Sequence, residues 1–149
     1  MNTECLRPVE IVMAEDDSED QMLVKEAFQE AQIANCLTFV NDGEELLTYL
    51  RNWRNQGEER RPLLLLLDLN MPKKDGREAL RELKGDTVLR SIPVVILTTS
   101  AAEEDIVDSY NLGVSTYIRK PVTFDKFTDI IKTFGRYWLE IAEIPGRKE

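Results

Sequence analysis

Residues 63–72 read LLLLLDLNMP, and their pattern indicates the class of fold. Its five consecutive leucines have no amphipathic period, which is the pattern of a short strand buried on both faces of a parallel sheet. The predicted strand, over residues 63–69, carries the carboxylate of Asp68 near its carboxyl end, and Pro72 and Gly76 mark the loop and turn that follow. Because an open α/β sheet binds its ligands outside the carboxyl ends of its strands, we expect Asp68 to lie at the functional site.

The size and charge of the chain limit the functions that it can have. Its 149 residues are most simply one domain, predicted to span 1–149 with a core over about 9–134. The net charge of −9 argues against a nucleic-acid or anionic-membrane surface, since phosphate contacts need clustered Lys and Arg. The sequence has neither a bilayer-spanning apolar run nor a signal peptide, so we expect a cytoplasmic protein without a nucleic-acid or membrane partner.

Two residue types are scarce in a way that bears on chemistry. The chain contains no histidine, so it cannot itself supply a histidine phosphodonor, base or metal ligand. Its two cysteines, Cys5 and Cys36, lack metal-ligand spacing and are too few for a disulfide framework, which favours a reducing compartment.

Strand-like and helix-like segments alternate along the chain. Strands are predicted at 9–15, 37–41, 63–69, 93–98 and 114–118, and a helix follows each of them. We expect Ser18 to cap the start of the first helix, Gly113 to cap the end of the fourth, and the last helix to begin at Thr123 or Asp125 and end near Ile141. Five successive βα units predict right-handed crossovers and a parallel sheet with helices on both faces.

Polar residues stand at the ends of these strands. Glu15 and Asp16 follow the first strand, Asp68 ends the third, Thr98 ends the fourth and Lys120 follows the fifth. If the first and third strands are neighbours, about 4.8 Å apart, three carboxylates meet in one pocket. Such a cluster repels itself unless a cation neutralises it, and hard oxygen ligands with room for water suit Mg²⁺.

This set of groups predicts phosphoryl chemistry. A metal-bound carboxylate such as Asp68 is a legitimate nucleophile towards a phosphoryl group, and phosphoryl transfer asks mainly for positioning and charge neutralisation. The Lys120 ammonium and the Thr98 hydroxyl are suited to hold two phosphoryl oxygens. Taken singly, an acidic stretch is usually a solvated helix start and a threonine an ordinary strand residue, so the prediction depends on their combination.

From about residue 9 to residue 134, the chain resembles the receiver domain of two-component response regulators. The motifs that carry the resemblance are EDD at 15–17, LLDLNMPKKDG at 66–76, VILTTS at 95–100 and YIRKP at 117–121. The resemblance implies the flavodoxin-like fold shared with the bacterial chemotaxis regulator, a five-stranded parallel sheet in the order 2-1-3-4-5. It also implies a protein that is phosphorylated by a sensor histidine kinase, and that is no enzyme beyond catalysing its own phosphoryl acceptance and hydrolysis.

The resemblance assigns roles to the acidic residues. Asp68 matches the phosphoacceptor, and Glu15 and Asp16 match the acidic pair of the metal site. The backbone carbonyl of Asn70 matches a further ligand of Mg²⁺.

The resemblance also assigns a switch. Thr98 matches the switch hydroxyl and Lys120 the phosphoryl-binding lysine, whose bond to Pro121 is commonly cis in this family. Tyr117 matches the aromatic residue that turns inward when Thr98 moves towards the phosphate, although a tyrosine in an edge strand is also often only a packed aromatic. Position 99, usually Ala or Ser in the family, is Thr, which predicts restricted access to the phosphoryl group.

Three segments indicate which subgroup of response regulators the chain resembles. LNMPKKDGRE, IPVVILTTS and TFGRYWLEIAEIP are similar to the small single-domain regulators paired with cyanobacterial and other bacterial phytochromes. This implies a phytochrome-type histidine kinase as partner. Because little chain remains after the fifth helix, we expect output through protein contacts or through relay of the phosphoryl group to the histidine of a phosphotransfer protein.

The last helix carries apolar residues beyond the length of the sheet that it covers. A core stripe accounts for its first apolar residues but not for those near its end, where an apolar patch suggests a partner surface. We therefore predict a homodimer through the face of the fourth helix, fifth strand and fifth helix. The partner residues expected on the last helix are Phe134, Tyr137, Trp138 and Ile141.

Other functions remain as alternatives. A haloacid-dehalogenase-type phosphohydrolase normally has a second Asp two residues after its nucleophile, whereas this chain has Asn70 there. A flavodoxin-like carrier of FMN needs a phosphate-cradling loop after the first strand, where this chain has acidic residues. No Walker-type nucleotide loop occurs. An unphosphorylated binding module of receiver fold is the last alternative.

Overall fold

The structure, a computed structural model, describes residues 9–145. Its strands form one parallel sheet in the order β2-β1-β3-β4-β5, as predicted. The strands are β1 (Glu10–Ala14), β2 (Leu37–Val40), β3 (Leu63–Leu67), β4 (Val94–Thr98) and β5 (Thr116–Arg119). The helices are α1 (Ser18–Glu30), α2 (Gly43–Asn55), α3 (Gly76–Lys84), α4 (Glu103–Asn111) and α5 (Phe124–Gly135).

The leucine run supplies both halves of the core. In β3, Leu65 and Leu67 pack with α2 and α3 on one face of the sheet, and Leu64 and Leu66 pack with α1 and α5 on the other. All five residues of the strand are buried. A strand that contributes alternate side chains to two apolar layers needs an apolar residue at every position, which explains the absence of a period in the sequence.

The register of the strands brings their carboxyl ends to one edge. Ala14 pairs with Leu67, and the neighbouring Asp68 N–H donates to the Ala14 carbonyl at 3.1 Å. On the other side, Leu67 pairs with Ile96. The residues that follow β1, β3 and β4 therefore emerge side by side.

Several helix ends differ from the predicted ones. The first helix is capped by Asp17 rather than by Ser18, because the Asp17 carboxylate accepts the N–H groups of Glu19 and Asp20 and its backbone is extended. Helix α4 ends at the cap residue Leu112, and Gly113, at φ +92°, takes the left-handed position immediately after it.

The last part of the chain also differs in detail. Strand β5 begins at Thr116 rather than at residue 114, and Thr123 caps α5, which settles the choice between the two predicted starts. The helix then continues as a wider π-helical turn over Arg136–Ile141. The bond between Lys120 and Pro121 is trans, as is every peptide bond within the described residues, whereas the resemblance implied a cis bond.

Two further observations concern membrane-spanning helices and cysteine chemistry. Within residues 9–145, no helix combines the length and the apolar character needed to cross a bilayer. Cys36 is disulfide-bonded, which its isolated place in the sequence did not predict.

Candidate functional site

Three carboxylates converge at the carboxyl edge of the sheet. One oxygen from each of Glu15, Asp16 and Asp68 lies within 4.8 Å of the other two. Glu15 and Asp68 are buried, at 1% and 6% exposed, and Asp16 is exposed. The pairing of β1 with β3 creates this cluster because it places the residue after each strand in the same plane.

Burial makes the charge on Glu15 costly. Desolvation raises the pKa of Glu15 to about 7, and the nearby Asp68 carboxylate acts in the same direction. The hydrogen bond and the positive charge of Lys120 lower this pKa but do not offset the desolvation. The cluster is therefore short of positive charge.

Lys120 is the cation that faces the cluster. Its ammonium forms an ion pair with Glu15 and lies 3.3 Å from an Asp20 oxygen and 3.5 Å from Asp68 Oδ2. Burial alone lowers the pKa of Lys120, but the contact with Glu15 and the charges of the surrounding carboxylates give a net upward shift. Its backbone N–H donates to the Thr98 carbonyl at 2.7 Å, which fixes the start of the side chain at the edge of the sheet. Asp20, on the first turn of α1, was not among the predicted residues.

The Asp68 carboxylate is oriented by two donors. Its Oδ1 accepts the Thr98 hydroxyl at 2.7 Å and the Asn70 N–H at 3.1 Å. Thr98 is fully buried at the end of β4, so its hydroxyl has a defined direction. The other oxygen, Oδ2, faces the Lys120 ammonium. Asn70 thus lies beside the carboxylate cluster, on the loop that follows Asp68.

Tyr117 is linked to the loop that follows Thr98. The tyrosine is half-buried in β5, and its hydroxyl donates to the Ser100 carbonyl at 2.9 Å. Burial raises its pKa. The position is compatible with the predicted aromatic switch.

A second polar cluster was missed by the sequence analysis. Arg77, in the first turn of α3, donates from Nε and Nη2 to the two oxygens of Asp105, both at 2.7 Å. Asp105 also accepts the Ser100 hydroxyl at 2.6 Å. The hydrogen bond from Arg77, followed by that from Ser100, lowers the pKa of Asp105 to about 2. The sequence does not reveal this pair, because acidic residues are common in the first turn of a helix and nothing local links Asp105 to an arginine 28 residues earlier.

The predicted partner residues of the last helix separate into two groups. Tyr137 and Ile141 are 52% and 68% exposed, and Trp138 is half-buried with its ring edge-on to Tyr137. Phe134, however, is buried beside Phe28, with ring centroids 6.2 Å apart. Phe134 therefore belongs mainly to the core on the side of α1, although it also lines a groove beside Tyr137, and its place on a partner surface stays a prediction.

Known proteins are similar to this chain in sequence and in fold. The family model for the response regulator receiver domain matches residues 11–132. The response regulator Rcp1 of Synechocystis sp. is 37% identical over 146 residues, which cover 98% of this chain and 99% of Rcp1. The probable methanogenesis regulatory protein FilR2 of Methanothrix harundinacea is 35% identical over 93% of this chain and 89% of its own length.

Solved structures of response regulators are also similar to this chain. The phosphorylated cyanobacterial phytochrome response regulator RcpA superimposes with a TM-score of 0.81 at 41% identity, covering 91% of this chain and 97% of RcpA. The Mn²⁺-bound form of Rcp1 superimposes with a TM-score of 0.76 at 39% identity, covering 93% of this chain and 99% of Rcp1.

Proposed function

Because the chain belongs to the response regulator receiver domain family, we propose that Asp68 accepts a phosphoryl group from the phosphohistidine of a sensor histidine kinase. The observation that carries this proposal is the buried Asp68 carboxylate, which is oriented by Thr98 and faces Lys120. An Asp68 oxygen attacks phosphorus, so that an O–P bond forms as the P–N bond breaks and the electron pair returns to the histidine ring.

The residues around Asp68 each serve this transfer. Lys120 holds a positive charge where phosphoryl oxygens arrive, and the Thr98 hydroxyl, freed from the carboxylate, donates to one of them. The all-oxygen cluster fits a hard divalent cation, and we propose that Glu15, Asp16, Asp68 and the Asn70 carbonyl hold Mg²⁺. When bound, Mg²⁺ supplies charge neutralisation for the transferring group. The same residues make the protein the catalyst of its own phosphoryl acceptance and hydrolysis.

The donor has room to approach beside Lys120. Apolar side chains border a groove there, with Leu23 42%, Phe124 39% and Val122 fully exposed. A contiguous exposed apolar rim next to a reactive group suits a docking protein. Since the relative RcpA is described as a phytochrome response regulator, we propose a phytochrome-type kinase, acting in the cytoplasm.

Output is proposed to run through protein contacts. On phosphorylation, Thr98 and Tyr117 shift the equilibrium between two conformations of the face formed by α4, β5 and α5. This face then changes its partner, which is a second copy of the chain, a downstream protein or a histidine phosphotransfer protein. Exposed apolar residues on this face support the proposal: Val107, Tyr110, Tyr137 and Ile141.

The test is the mass of the intact protein after incubation with acetyl phosphate, with Mg²⁺ and with a chelator. We expect a single phosphoryl adduct that needs Mg²⁺, is absent from Asp68→Asn, and persists in the control Asp108→Asn on the exposed face of α4. No adduct under conditions that label another receiver would contradict the proposal and favour a binding module. Turnover of free phosphate esters would instead favour a phosphohydrolase.

A further inference from the structure

An arginine–carboxylate pair joins α3 to α4 outside the carboxylate cluster. Arg77 and Asp105 meet through two parallel hydrogen bonds of 2.7 Å, with side chains 32% and 14% exposed. This fork-on-carboxylate arrangement sets orientation as well as distance. It therefore differs from single-contact surface ion pairs, which constrain little.

Both partners of this pair also hold loops that surround the site. Arg77 Nη1 donates to the Leu69 carbonyl at 3.3 Å, immediately after Asp68. On the other side, Asp105 accepts the Ser100 hydroxyl at 2.6 Å, two residues after the end of β4. The contacts therefore tie the β3–α3 loop to the β4–α4 loop.

The chain of contacts continues to the edge strand. The carbonyl of Ser100 accepts the Tyr117 hydroxyl at 2.9 Å, and the Ser100 N–H lies 3.4 Å from the Thr98 hydroxyl oxygen. A displacement of Ser100 therefore changes the surroundings of both Thr98 and Tyr117.

Helix α4 depends on this polar contact because it has few apolar ones. Its only buried residue is Ser109, whereas α1, α2, α3 and α5 each bury three or more. Its start has no side-chain cap, since the cap residue is Ala102. A helix with so little buried surface has a low local stability, and one strong polar contact then decides its position.

We infer that the Arg77–Asp105 pair is a latch that holds Ser100 in place and keeps Tyr117 half-buried, and that it thereby couples the position of α4 to Asp68. The coupling to phosphorylation rests on the proposed function, but the effect on Tyr117 does not. In the proposed switch Tyr117 turns inward when Asp68 is phosphorylated, and the latch holds the Tyr117 hydroxyl against the Ser100 carbonyl. The latch therefore favours the phosphorylated arrangement, and because coupling between two sites is reciprocal, it also favours phosphoryl acceptance. Opening the latch lowers the fraction of molecules in the conformation that accepts a phosphoryl group on Asp68.

The first readout is ¹⁹F NMR of protein containing fluorotyrosine at its four tyrosines, with the Tyr117 resonance assigned from Tyr117→Phe. We expect Arg77→Gln and Asp105→Asn to shift this resonance equally, towards that of an exposed tyrosine. The double variant should shift it no further, because both changes open one latch. Arg77→Lys, which keeps the charge but not the fork, should shift it less.

The second readout is the rate of phosphorylation by acetyl phosphate. We expect each single variant to react roughly fivefold more slowly and the double variant no more slowly than either. Matched controls are Arg81→Gln and Asp108→Asn, which lie one turn further along the same two helices with exposed side chains.

The outcomes separate the latch from the proposed function. An unchanged Tyr117 resonance in both single variants, or a double variant equal to the sum of the singles, overturns the latch. If Tyr117 shifts as expected but even the parent protein acquires no phosphoryl group, the latch stands and the proposed function fails. If phosphorylation occurs at equal rates in all variants, the coupling is wrong.

Discussion

At the scale of single residues, Lys120 balances a cluster that is otherwise negative. Its ammonium contacts Glu15, Asp20 and Asp68. A divalent cation would compete with the ammonium for these carboxylates, and a phosphoryl group would compete with the carboxylates for the ammonium. The lysine should therefore weaken divalent-cation binding while it assists phosphoryl transfer. These opposite effects distinguish a reacting role from a purely structural one.

Replacing Lys120 with Met should move two measured quantities in opposite directions. We expect Mg²⁺ affinity, measured by calorimetry, to rise roughly tenfold, which corresponds to about 1.4 kcal/mol. The rate of labelling by acetyl phosphate should fall roughly 100-fold, because a preorganised positive charge is lost. Lys126→Met, on the exposed side of α5, is the control. A fall in both quantities would indicate only a damaged site.

Asp105 gives a pH dependence whose sign follows from its environment. Its pKa in the folded protein, about 2, lies below the ordinary value of 3.8 because Arg77 and Ser100 favour the charged form. The unfolded chain therefore takes up the proton first as the pH falls. The stabilisation is complete above about pH 4 and is lost as the pH falls towards the folded pKa.

Asp105→Asn should remove this contribution. We expect the free energy of unfolding of the variant to be about 1 kcal/mol lower than that of the parent near pH 5, a modest difference because the pair is partly exposed. This deficit should shrink as the pH approaches 3. Urea denaturation at several pH values measures it. Asp108→Asn, without such contacts in the described structure, should show no comparable trend. A deficit that is independent of pH would contradict the assigned charge contribution.

At the scale of elements, the sequence patterns predicted which helices and strands exist better than they predicted where each one begins and ends. The strands were predicted within two residues because long apolar runs identify them. The start of β5 was misplaced because Val114 is buried without belonging to the strand, so burial and pairing give the same pattern. Asp17 and Ser18 are both good capping residues, and only the extended backbone at Asp17 decides between them.

Gly76 shows how one element positions the site. A Cβ at this glycine would lie 2.2 Å from the Asp68 carbonyl oxygen and 2.7 Å from the Leu69 Cα. Both neighbours are backbone atoms and cannot turn away. Helix α3 can therefore begin this close to Asp68 only without a side chain at this position.

Gly76→Ala should consequently destabilise the protein by about 2 kcal/mol and displace the Asp68 backbone, slowing phosphorylation. The control is Gly85→Ala at the other end of α3, where the nearest atoms to a Cβ lie at 3.5 Å, an ordinary contact. Urea denaturation should leave the control near the parent midpoint. Equal effects of both substitutions would indicate a general cost of alanine rather than the close approach.

At the scale of the whole molecule, topology made the site predictable and helix packing hid the latch. Once parallel strands were expected, the residues after β1, β3, β4 and β5 had to meet at one edge. Arg77 and Asp105 lie 28 residues apart and meet only in the assembled fold, where the first turns of α3 and α4 approach each other. No local sequence pattern encodes this approach. The burial of Phe134 was missed for the same reason.

The exposed apolar residues at the end of the last helix belong to this scale as well. Tyr137 and Ile141 project from the π-helical turn, next to a groove between β5 and α5 whose lining includes Ile118 and Ile130. Exposed side chains of this size beside an apolar groove are costly in isolation and gain by burial against a second copy. The loop before α5 provides a comparison, since Val122 is fully exposed there, away from the π-helical turn.

Ile141→Lys should therefore weaken self-association, because dimer formation would bury an unpaired charge. We expect the dimer dissociation constant to rise at least roughly tenfold in sedimentation experiments at micromolar concentration. Val122→Lys adds the same charge in the loop before α5 and should leave the constant unchanged. If both variants and the parent sediment as monomers, with and without acetyl phosphate, the exposed residues serve another partner. If both variants weaken association equally, net charge rather than this face is responsible.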